Sequence, residues 1–102
     1  MRYILVLQWP SDSEADFEAL ISIEEQVETA LGRYASIDGH DFGSGEMNIF
    51  VGTDRPTEAF ADAAKALRGS PRWGDLRAAY REASGGPYEI LWPRGLREFS
   101  VK

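Results

Sequence analysis

The sequence predicts an α+β domain in which two helices cover one face of an antiparallel sheet. Three patterns predict it. The run Tyr3–Trp9 is apolar on both faces, two later segments place apolar residues at helical spacing, and two glycine-rich turns each close a hairpin. The 102 residues fit one domain spanning 1–102. With 43% apolar and 12% aromatic residues the chain can form a packed core.

Tyr3 to Trp9 reads as a central strand, because an unalternating apolar run is covered on both sides. Pro10 ends it. Ser11 to Gly32 reads as a helix: Phe17, Leu20, Ile23, Val27, Ala30 and Leu31 make one stripe. Ser13 is the expected N-cap, Asp12, Glu14 and Asp16 suit the positive end of the dipole, and Gly32 is the expected C-terminal cap. Glu24 falls on the apolar side of this helix and needs a partner or a rim position.

Tyr34 to Thr53 reads as a hairpin with Gly43-Ser44-Gly45 as a three-residue loop. That register sets His40 opposite Asn48 and Phe42 opposite Glu46. Ile37, Gly39, Met47, Ile49 and Val51 then share one face, and Asp38, His40, Phe42, Glu46, Asn48 and Phe50 share the other. Pro56 to Arg68 reads as a second helix with Phe60, Ala63, Ala64 and Leu67 inward and Thr53 or Asp54 as cap. Leu76 to Ala83 fits either a helix or a strand. The turn Ser84-Gly85-Gly86-Pro87 before the strand Tyr88–Trp92 favours a hairpin, and the last residues are expected to fray.

The resulting order is strand, helix, strand, strand, helix, strand, with an extra C-terminal strand. This is the ferredoxin-like βαββαβ two-layer sandwich. Right-handed crossovers place the first and third strands centrally. The sheet face left uncovered by helices then carries the site: Asp38, His40, Phe42, Glu46, Asn48 and Phe50, with Asp41 at the turn.

Charge and missing motifs narrow the chemistry. Residues 1–51 carry ten acids and two bases, whereas 52–102 carry seven acids and nine bases. The net charge of −6 disfavours nucleic acid. The absence of cysteine excludes disulfides, thiol chemistry and cysteine-based zinc sites. A lone histidine, His40, makes a weak metal ligand set even with Asp38, Asp41 and Glu46 nearby. Gly43-Ser44-Gly45 lacks the lysine of a phosphate loop, and no nucleophile elbow occurs. No cofactor or metal is expected. No apolar run reaches bilayer length, and Tyr3–Leu7 is too short for a signal sequence, so a cytoplasmic protein without membrane contact is expected.

The stretch Asp38-Gly39-His40-Asp41-Phe42-Gly43-Ser44-Gly45-Glu46-Met47-Asn48-Ile49-Phe50, with Ala79-Tyr80-Arg81 and Ile90-Leu91-Trp92-Pro93, resembles a segment of a group of small stand-alone bacterial proteins. The resemblance implies a ferredoxin-like fold and, as for some small acidic proteins of this kind, immunity-like binding of a protein partner. It carries over no catalytic residue. The leading expectation is a non-catalytic module that binds a protein partner through the 38–50 hairpin and the acidic first helix. The rival is a small dimeric enzyme or ligand-binding protein with His40 as acid or base in a pocket on the open sheet face. A purely structural homodimer through that face is the third.

Overall fold

The computed structural model describes residues 1–11 and 13–102. The part of Asp12 at the first helix therefore lies outside the described residues. Strand β1 (Tyr3–Pro10) leads into helix α1 (Glu14–Ala30), which begins after Ser13. There the Asp16 carboxylate accepts from the Ser13 amide at 3.2 Å, holding the first turn closed. The helix ends at Ala30 with Leu31 as its cap residue, its amide on the Val27 carbonyl. Gly32 follows; a Cβ there would come within 2.7 Å of the Tyr34 ring.

Strands β2 (Ala35–Gly43) and β3 (Glu46–Thr53) form the first hairpin. Helix α2 (Pro56–Leu67) follows with Pro56 in its first turn. Its N-cap position is Arg55, not Thr53 or Asp54. Thr53 Oγ1 instead accepts the Arg55 amide and donates to the Tyr34 carbonyl, both at 2.9 Å. After a single 3-10 turn at Trp73–Asp75, residues 77–82 form β4, so the ambiguous segment is a strand. It pairs with β5 (Glu89–Trp92).

The five strands form one antiparallel sheet in the order β2-β3-β1-β4-β5. Strand β1 thus lies between β3 and β4. Both helices pack on the same sheet face. Leu5, Leu7 and Trp9 of β1 and Met47, Ile49 and Val51 of β3 meet Leu20, Ile23 and Val27 of α1 and Ala59, Ala63 and Leu67 of α2. Ala59, Ala63 and Ala64 of α2 are buried, which lets its backbone approach the sheet.

The hairpin register differs from the expected one. The turn has two residues, Ser44 and Gly45, and Gly43 pairs with Glu46. Both turn residues have positive φ, 57° and 81°, the combination that matches the twist of paired strands. Ile37 still pairs with Val51, because the register shifts between Ile37 and Gly39. Asp38 is the extra residue of this bulge. Between bulge and turn, every β2 side chain is displaced by one position relative to the three-residue-loop alignment. His40 pairs with Ile49 and Phe42 with Met47, so both take the helix-covered side. The expectation that His40 and Phe42 lie on the open face is overturned, and the bulge is the reason.

The opposite face is not bare either. Val6 and Ala79 lie there, both fully buried. The segment 93–102, expected to fray, runs over this face without regular secondary structure. It is held by a bond from Gln8 Nε2 to the Ser100 carbonyl (2.9 Å) and one from the Lys102 amide to Glu46 Oε2 (3.0 Å).

Candidate functional site

The residues singled out in the sequence separate into two places. The first is the rim where α1 meets β2. His40 Nδ1 stands 2.9 Å from Glu24 Oε2, with the two side chains 34% and 21% exposed. Glu24, the acid on the wrong side of its helix, and His40, the lone histidine, are each other's partner. Neither Asp38 nor Glu46 orients the imidazole. Phe17 packs edge-on against Phe42, with ring centres 5.4 Å apart, and against the His40 ring at 6.1 Å. Phe17 remains 41% exposed.

The helix surface around Phe17 is acidic. At about 100° per residue, Phe17, Glu28, Glu24, Ile21, Glu14, Glu25 and Glu18 fall within an arc of roughly 120°. Glu14, Glu18, Glu25 and Glu28 are exposed, and no Lys or Arg pairs with them among the described residues. Asp41, paired with Asn48, is exposed on the other side of β2. The result is a half-exposed ring flanked by carboxylates.

The second place is the open face. Gln8, Glu46 and Asn48 form a buried polar cluster, 5%, 7% and 0% exposed. Glu46 Oε2 accepts from Asn48 Nδ2 at 2.9 Å, from the Lys102 amide at 3.0 Å and from Gln8 Nε2 at 3.2 Å. Gln8 Nε2 also reaches Asn48 Oδ1 at 3.0 Å. The sequence marked Glu46 and Asn48 but missed Gln8 and the covering segment. A glutamine inside an otherwise apolar strand, directly opposite Asn48 in the ladder, was the available signal. Phe50 is half-buried on this face, and Asp38 lies near Ile4 and Gly52 in a shallow depression of about 210 Å³.

Two further polar contacts were not visible in the sequence. Asp16 pairs with Arg72, fastening the start of α1 to the loop after α2. The Tyr34 hydroxyl donates to the Asp62 carboxylate, which also accepts the Gly32 amide at 3.3 Å. This bond raises the Tyr34 pKa above its ordinary value, because ionisation would set a phenolate beside a carboxylate; partial burial adds to the shift.

No three His, Asp or Glu side chains gather as a metal site among the described residues. His40 lies at the helix-side rim and not on the open face where the expected acid or base would stand. Among the described residues no helix is long and apolar enough to cross a membrane. No family model matches the chain, and no curated protein or solved structure is significantly similar to it.

Proposed function

We propose that the chain is a non-catalytic protein-binding module, immunity-like in its manner, that docks a basic partner on the rim between α1 and β2. The acidic arc of α1 around Phe17 carries this reading. Four exposed carboxylates without a cationic partner among the described residues raise the local negative potential and steer a positively charged surface toward the rim. Phe17, with Phe42 and His40 behind it, supplies a rigid aromatic anchor at the centre. The contact surface thus keeps the hairpin residues His40 and Phe42 and moves away from Asp41, Asn48 and Glu46. The placement of β1 between β3 and β4 supports a ferredoxin-like reading of the first six elements, with β5 added at the β4 edge.

The test is affinity capture with the wild type and with two variants, Phe17→Ala and the triple reversal Glu18→Lys/Glu25→Lys/Glu28→Lys. A specific partner should carry a basic surface, bind less tightly as salt rises, and be lost by both variants. A reversal of three exposed acids on α2 and the loops, Asp54, Glu58 and Asp75, should leave it bound. If every recovered partner survives the α1 variants, the rim is not the contact surface.

A further inference from the structure

A cleft of about 550 Å³ opens between the sheet and the 93–102 segment, beside the Gln8–Glu46–Asn48 cluster and far in character from the acidic rim. Its volume falls within the roughly 300–1,000 Å³ typical of small-molecule sites. Its charged lining among the described residues is balanced: Glu46 and Glu98 against Arg77 and Lys102.

The hydrogen bonds determine what the cleft offers. All three donors to Glu46 converge on Oε2. Oε1 accepts none among the described residues, and no buried side-chain oxygen lacks a partner. Oε1 is therefore not sealed, and on a residue that lines the cleft it opens to that space. The same holds for Gln8. Its Nε2 is turned toward three acceptors, so its Oε1 is left as an acceptor without a protein donor. The floor of the cleft thus presents a carboxylate oxygen and an amide oxygen; Asn48, which spends one N–H on Glu46, does not line it.

Glu46 is also a carboxylate only 7% exposed that no Lys, Arg or His side chain pairs with among the described residues. Three N–H groups hold it, but a cation would compensate the charge more fully. We propose that this cleft binds a small zwitterion of the α-amino-acid type. Its ammonium group would be held by Glu46 Oε1 and Gln8 Oε1, its carboxylate would face Arg77 and Lys102, and its apolar body would lie along Phe99. An ammonium brings three donors to two oxygens that no donor of the described residues reaches. The two cations of the lining select against a bare cation and favour a ligand that also carries a negative group.

The test uses three probes of one shape: L-leucine, isopentylammonium, which lacks the carboxylate, and 4-methylpentanoate, which lacks the ammonium. Binding is followed through the side-chain amide NMR signals of Gln8 and Asn48 in the whole chain. Leucine and isopentylammonium should shift these signals saturably, leucine at lower concentration, and 4-methylpentanoate should not. Glu46→Gln should weaken both ammonium probes about tenfold or more, the loss expected when one charge-assisted hydrogen bond goes. Arg77→Gln, at an exposed strand position, should weaken leucine alone. Absence of saturable shifts with either ammonium probe would overturn the proposal. So would equal shifts with the carboxylate probe, or unchanged affinity in a folded Glu46→Gln variant. Should that variant not fold, nuclear Overhauser contacts between bound isopentylammonium and the Gln8 amide in the wild type decide, and their absence at saturation refutes the site.

Discussion

Replacing Ser44 tests the two-residue turn of the hairpin, and with it the side on which His40 and Phe42 lie. Ser44 is exposed and sits at φ 57°, a left-handed conformation that costs an L-residue about 1–2 kcal/mol relative to glycine. Asparagine tolerates it better than serine, because its short amide hydrogen-bonds locally, and Asn-Gly is the preferred pair for this turn. A β-branched side chain tolerates it worst. Ser44 makes no side-chain hydrogen bond that would be lost, so the backbone term acts alone. Ser44→Asn should therefore stabilise by roughly 0.5 kcal/mol and Ser44→Val should destabilise by about 1 kcal/mol. For a domain of this size, 1 kcal/mol moves the melting midpoint by about 4–8 °C. Urea and thermal unfolding of the three proteins measure the order. In a three-residue loop, position 44 would have negative φ and both changes would be close to neutral. Indistinguishable Asn, Ser and Val variants would therefore refute the turn, the bulge at Asp38 and the placement of His40 together.

Three other outcomes follow from local geometry. Gly32→Ala should destabilise by about 1–3 kcal/mol in urea unfolding, because the new methyl meets the Tyr34 ring, which is tied to Asp62; a neutral result would mean that the ring moves freely. Ala63→Leu should cost about 1–3 kcal/mol or more by the same measurement, since the side chain is fully buried where α2 approaches the sheet, and stabilisation would reveal an unfilled space. Tyr34 is held protonated in the folded state. Its contribution is therefore complete below the unfolded-state value near 10 and is lost as pH rises through the higher folded-state value. Urea midpoints from about pH 8 to 11 should fall more steeply for the wild type than for Tyr34→Phe. Parallel curves would show that the Asp62 bond does not perturb the hydroxyl.

The elements were legible because each has a local cause. The helices follow from three- and four-residue apolar spacing, Pro56 and the Ser13–Asp16 pair. The strands follow from apolar runs bounded by proline and glycine, and even the ambiguous 77–82 strand follows from the turn after it. The site was legible only as a set of residues out of place. Glu24 on an apolar stripe and His40 in a strand were each visible, but their 2.9 Å contact was not, because it depends on the face that His40 takes.

That face was beyond the sequence because alternation fixes side-chain direction only while the ladder is unbroken. A single bulged residue inverts it, and Asp38-Gly39 does not announce whether it bulges until β3 is laid beside it. The covering of the open face is a second case. Nothing local in residues 93–102 marks them as packed, since their partners, Gln8 and Glu46, are more than fifty residues away. Short-range pattern thus determined which segments are helices and strands and that the first helix is acidic. Pairing across the sheet decided which of those acids surround an aromatic ring and which one is buried beneath the chain's last residues.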